Sequence, residues 1–143
     1  MKSILYVVFF FLNIFLGACD QPENAIGRYS KTNLSIPTKY KLLDFKSDWD
    51  VGETTEDYTL LISKGDYQII IKEIEEKNFF QRLDTAKTPL SAFDNNTDTK
   101  KINETACWYD NKYFYQIFRP DPGAVITVVL EKDSLMSINY NDL

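Results

Sequence analysis

Apolar and polar positions divide the chain into stretches of different character. Residues 4–16, ILYVVFFFLNIFL, are apolar except for Asn13. Residues 20–38, DQPENAIGRYSKTNLSIPT, are polar and broken by Pro22, Gly27 and Pro37, which reads as a flexible tether. Alternation begins near Lys39. KYKLLDFK (39–46) and DYTLLIS (57–63) read as strands, and Tyr58, Leu60 and Ile62 share a face because successive strand side chains point to opposite sides. The intervening SDWDVGETTE is too long for a tight hairpin turn. The period then changes. Ser63 can cap a helix with Asp66 three residues on, and Tyr67, Ile70, Ile71 and Ile74 fall at i, i+3, i+4 and i+7, so a helix is predicted over about 63–78. The β-branched run 69–71 argues for strand, but the cap and the Lys/Glu-rich turn after it decide for helix.

Residues 84–103 are irregular and read as a long loop. Beyond them the pattern is β. TACWY (105–109) and KYFYQIFR (112–119) flank Asp110-Asn111, a two-residue turn that sets Trp108 opposite Tyr113, Ala106 opposite Tyr115 and Cys107 opposite Phe114. DPG (121–123) marks a second turn. AVITVVLE (124–131) and SLMSINY (134–140) flank Lys132-Asp133; a two-residue turn there sets Val129 opposite Met136 and Val125 opposite Tyr140 on the core face. The predicted class is α+β: an antiparallel sheet of about five to six strands with one packed helix, forming a single domain over 39–143.

Composition narrows the chemistry. With 44% hydrophobic and 15% aromatic residues in 143, the chain can bury a core without disulfide staples. The net charge of −5 argues against nucleic acid and against electrostatic adhesion to anionic lipid, and it suits a basic protein partner. The sequence has no histidine, which removes the usual general base, the Ser-His-Asp and Cys-His arrangements and the commonest zinc ligand. No cofactor is expected: the five glycines form no phosphate-binding loop.

The N-terminal apolar run would span roughly 20 Å as a helix, short of the ~30 Å hydrocarbon core, and follows Met1-Lys2 as the apolar part of a secretory signal does. It ends Leu16-Gly17-Ala18-Cys19. Those four residues resemble the lipobox of bacterial lipoproteins: Leu, two small residues, then the cysteine. The resemblance covers residues 1–19. It implies cleavage between Ala18 and Cys19, a diacylglyceryl group on the Cys19 sulfur, and further acylation of the new amine in many bacteria. Two or three acyl chains on one residue hold a protein firmly where one holds it marginally. The expected organisation is a signal peptide (1–18), lipidated Cys19 with a tether to residue 38, and the domain. The expected location is the cell membrane or outer membrane, with the domain in the periplasm or at the cell surface. Asp20, next to the anchor, resembles the inner-membrane retention signal of some enteric bacteria.

Three segments are candidate sites. Asp48, Asp50 and Glu53 lie in DWDVGETTED, part of a calcium-loop pattern, although a solvated acidic loop explains them as well. DNNTD (94–98) matches a calcium loop in part, but Thr99 replaces its glycine and two lysines follow. Trp108, Tyr113 and Tyr115 concentrate aromatic surface that suits a ligand or protein interface, or simply core. Cys107, left without an intrachain partner if Cys19 is acylated, reads as a buried inert thiol. The leading expectation is a membrane-anchored, non-enzymatic binding domain, similar in size, acidity and attachment to inhibitor and immunity lipoproteins. The alternatives are a calcium-dependent or carboxylate-based hydrolase using the 48–57 acids and a structural envelope protein.

Overall fold

Among the described residues the first helix, α1 (Gln21–Tyr29), forms inside the stretch expected to be a tether. It occurs in a computed structural model that describes residues 21–50, 52–83, 101–121 and 123–143. Pro22 stands in its first turn, where a missing N–H costs nothing. Ala25 and Tyr29, four residues apart and therefore on one face, are wholly buried. The segment after α1 is held as well: Thr32, Leu34 and Pro37 are buried. The flexible-tether reading of residues 21–38 is corrected accordingly. Short polar helices form when a sheet offers them a surface, and this one has it.

The other helix and the strands of the described residues are β1 (Tyr40–Asp50), β2 (Glu53–Ile62), α2 (Lys64–Glu75), β3 (Phe80–Arg82), β4 (Asn103–Tyr109), β5 (Lys112–Arg119), β6 (Ala124–Glu131) and β7 (Leu135–Asp142). They form one seven-stranded sheet ordered β1-β2-β7-β6-β5-β4-β3. The β1–β2 hairpin docks on β7, the last strand of the β4–β7 meander. β3 runs parallel to β4, and every other pair is antiparallel. The expected fold class is thus corrected. Strands dominate a mixed sheet of seven, and two helices pack on it where an antiparallel α+β sheet of five to six strands with one helix was predicted.

α2 forms for the predicted reasons. Ser63 Oγ accepts from the Asp66 N–H at 3.1 Å and donates to the Asp66 carboxylate at 2.6 Å. Ile70 and Ile74 are buried, Tyr67 and Ile71 half-buried. The helix ends at Glu75, a little short of the expected 78. Asp110 and Asn111 take φ of 49° and 60°, the left-handed pair that a two-residue hairpin turn needs. The register places Trp108 opposite Tyr113, Ala106 opposite Tyr115 and Cys107 opposite Phe114, as predicted.

Two hairpins differ from expectation. β1 and β2 are joined by a two-residue connection at 51–52, with Gly52 at φ 92°, so the acidic 48–57 segment is a tight hairpin and not a loop. The β6–β7 turn uses three residues, 132–134, with Asp133 and Ser134 at φ 63° and 64°. The extra residue shifts the register by one and reverses the faces: Leu130 lies opposite Met136 and Ile126 opposite Tyr140, while Val125 and Val129 point away from the core.

A single core lies between the helices and one sheet face. Ala25, Tyr29, Ile70 and Ile74 meet Tyr58, Leu60, Tyr115, Ile117, Ile126, Val128, Leu130, Met136, Ile138 and Tyr140.

Candidate functional site

With both helices on one face, the opposite face carries no helix among the described residues. Its side chains form rows fixed by register. Gln116, Thr127, Asn139, Asp57 and Lys46 follow one another across β5, β6, β7, β2 and β1. The next row is Phe114, Val129, Ser137, Thr59 and Asp44. The row on the other side is Phe118, Val125, Asn141, Thr55 and Asp48. Most of these are half-buried, and the charged ones on β1 and β2 are exposed. Gln116 Nε2 donates to Thr127 Oγ1 at 3.0 Å, and Asn139 Nδ2 to Asp57 Oδ1 at 2.8 Å. A shallow cavity of about 240 Å³ opens here, lined by Asp44, Lys46, Asp57, Thr59, Thr127 and Asn139 among others. A surface of amides, hydroxyls and apolar patches, acidic toward β1, can bind by shape and hydrogen bonds.

The signal for this face was present in the alternation. Thr127 between Ile126 and Val128, and Ser137, Asn139 and Asn141 between Met136, Ile138 and Tyr140, mark the polar side of two central strands. The two-residue turn expected at Lys132-Asp133 puts Val125 and Val129 on the core face, whereas the register places them on this one.

The helix face carries the least exposed ion pairs, Arg28 with Glu56 and Lys77 with Glu104. Arg28 grips Glu56 through Nε at 2.7 Å and Nη2 at 3.1 Å, and its guanidinium lies 4.0 Å from the Tyr140 ring centre. Tyr58 donates to Glu56 at 2.9 Å. Arg119 Nε donates to the Lys31 carbonyl, and Glu104 accepts from Asn33 and, at 2.8 Å, from Tyr115. Ser35 N donates to Glu73 at 2.7 Å, and Lys39 N to Asp66 at 3.2 Å. Apart from the Lys77–Glu104 pair, and the Tyr58 and Tyr115 bonds within the sheet, these contacts fasten residues 28–39 to the sheet or to α2. The network locks the N-terminal segment down, and two of its members, Ser35 and Asp66, line a second shallow cavity of about 210 Å³ with Ile36, Thr38, Ile69 and Ile70.

Two of these carboxyls titrate below their ordinary range. Glu56 is lowered chiefly by the Arg28 hydrogen bond against the opposing effect of burial, and Asp66 chiefly by the Ser63 hydroxyl. A depressed folded-state pKa stabilises the fold above the unfolded carboxyl pKa of about 4, and that stabilisation is lost as pH falls through the folded value. The urea midpoint is therefore expected to hold from pH 7 to about 5 and to drop below about 4. Glu56→Gln should flatten that drop. An unchanged acid limb in the variant would remove Glu56 from the account.

The residues singled out in the sequence are dispersed. Tyr115 is wholly buried, and burial raises its pKa. Trp108 and Tyr113 are half-buried on the helix side; Tyr113 donates to Glu75 of α2 at 2.9 Å and stacks on Phe80, while Arg82 lies over Trp108. These three are core and its margin, and an aromatic partner surface at Tyr115 is corrected by its burial. Asp48, Asp50 and Glu53 stand on strands at the hairpin end, and Asp48 accepts from the Trp49 N–H at 2.9 Å. Among the described residues no group of three or more His, Cys, Asp or Glu side chains is placed to hold a metal. Residues 94–98, Ala18 and Cys19 lie outside the described residues. Cys107 is buried and its thiol is pushed up to about 11, so it stays protonated at neutral pH. Among the described residues the most exposed aromatic is Trp49, followed by Tyr40, and neither is among the aromatics expected at a site.

No family model, curated protein or solved structure matches the chain. Among the described residues no helix is long and apolar enough to cross a membrane.

Proposed function

We propose that the chain is a bacterial lipoprotein, anchored through acylated Cys19, whose extracytoplasmic domain binds a partner on the helix-free sheet face. The observation that carries the anchor is the sequence Leu16-Gly17-Ala18-Cys19 at the end of a 13-residue apolar run. The binding reading is supported by the half-buried rows of Gln116, Thr127, Asn139 and their neighbours. Acid at the β1–β2 side of that face, from Asp44, Asp48 and Asp57, suits a basic protein. The hydrolase alternative would need the 48–57 carboxylates to converge; strand geometry spreads them along a hairpin.

Expression in a bacterial host tests the anchor. The mature protein is expected to begin at Cys19, to carry the added mass of acyl chains, and to sediment with membranes. Cys19→Ala should abolish the added mass and the cleavage before residue 19. A wild-type product with a different N-terminus and no lipid would overturn the reading.

A further inference from the structure

We infer that the β1 edge of the domain rests on the bilayer, with Trp49 in the headgroup layer. This rests on the proposal that Cys19 is acylated. α1 begins at Gln21, so one residue separates the anchor from the first helical position. Two residue steps of extended chain cover at most about 7 Å. α1 cannot swing on that short connection, because Ala25 and Tyr29 are wholly buried and Arg28 is clamped by Glu56. The domain is therefore held against the membrane on one side.

The path of α1 says which side. The helix touches β1, β7 and β6. The chain after it moves on to β5 and β4, where Lys31 meets Arg119 and Asn33 meets Glu104. The chain thus leaves the β1 side of the sheet after α1, and the helix with the anchor before it belongs to that side. β1 is also where exposed apolar side chains gather: Trp49 is 71% exposed, Leu43 49% and Tyr40 37%. Trp49 lies opposite Thr54, in the alternation of Glu56 and Tyr58, which puts it on the helix side of the sheet with α1. Asp44, Asp48 and Asp50 alternate to the other side. Trp49 is four residues from Phe45, roughly 13 Å along the strand. Tryptophan and tyrosine favour the membrane–water interface, where an amphipathic ring meets both media. A bilayer along this edge also shields a long unpaired strand from other chains.

The test uses the full lipoprotein, made in a bacterial host and reconstituted into phosphatidylcholine vesicles brominated at a shallow acyl position. The signal of Trp49 is the difference between wild type and Trp49→Phe, an exposed position where the change spares the fold. We expect that difference signal to be blue-shifted, quenched by the brominated lipid and protected from aqueous iodide. A long Gly/Ser linker inserted between Cys19 and Gln21 should leave the protein on the vesicles and abolish the quenching. Vesicle-bound wild-type protein whose Trp49 is quenched by iodide and not by bromolipid overturns the contact and leaves the anchor standing. Protection from iodide without bromolipid quenching assigns Trp49 to a protein partner or a second copy and also overturns it. Protein that carries no acyl mass and does not float with vesicles refutes the anchor, and this inference falls with it.

Discussion

Replacing Tyr29 by alanine is expected to destabilise the domain by about 3–5 kcal/mol, the range for removing a large buried aromatic side chain. For a domain of this size that lowers the melting temperature by roughly 10–20 °C. Tyr29 is wholly buried among Ile70, Ile74 and the sheet, and its hydroxyl donates to the Ser35 carbonyl at 3.1 Å. The ring therefore joins α1, the following segment and α2 at one point. Burial also raises its pKa far above the ordinary tyrosine value, so the hydroxyl stays neutral at any working pH. Thermal melts of the lipid-free domain read the effect directly. A variant that melts within 2 °C of wild type (about 0.5 kcal/mol) would return residues 21–38 to the status of a tether. Tyr29→Phe separates the contributions: it keeps the packing and removes one hydrogen bond, which costs about 1 kcal/mol.

The difference between tether and helix has a physical source. Residues 20–38 hold few apolar side chains, and two prolines and a glycine interrupt them. Nothing in such a stretch favours helix until the sheet supplies a surface for Ala25 and Tyr29. The ion pair that completes the docking, Arg28 with Glu56, joins residues 28 positions apart. Local pattern does not contain that information. β3 was illegible for a similar reason: three residues are too few to show a period, and its parallel pairing depends on β4. α2 and the β4–β5 hairpin were legible because their determinants are local. The Ser63 cap and the Ile70/Ile74 stripe lie within one element, and Asp110-Asn111 tolerates the left-handed backbone that fixes the register of its own strands.

The candidate site was the least legible part. Aromatic density drew attention to Trp108, Tyr113 and Tyr115, yet aromatic rings are large apolar groups first, and the fold spends these on the core and its margin. The binding face consists of small polar side chains spaced two apart, each unremarkable alone. They become a surface when five antiparallel strands align them. Trp49 was passed over because it sits among acids, which suggested a solvated loop. In the hairpin its flanking acids, Asp48 and Asp50, point to the other face.

The sharpest check on the alignment is a pair of adjacent residues in β6. Leu130→Ala is expected to cost about 2–5 kcal/mol, because Leu130 is wholly buried opposite Met136 and Tyr113 and its removal leaves a cavity. Val129→Ala, on the half-buried opposite face beside Phe114 and Ser137, should cost well under half of that. A two-residue turn at Lys132-Asp133 would demand the reverse order, with Val129 facing Met136 inside. The turn decides between them. Asp133 and Ser134 both hold positive φ, and the third loop residue absorbs the step that turns Leu130 inward. Urea denaturation of the two variants distinguishes the registers without ambiguity, since a one-residue slip exchanges every inward and outward side chain of the strand. Asp133→Gly should be neutral or slightly stabilising, because glycine adopts that backbone without a Cβ clash. Asp133→Val, branched at Cβ in a left-handed conformation, should destabilise the turn by about 1–2 kcal/mol. Leu130 proving tolerant and Val129 intolerant would mean that β6 is turned over with Thr127 inward, and the row that sets Thr127 beside Asn139 on the proposed binding face would not exist.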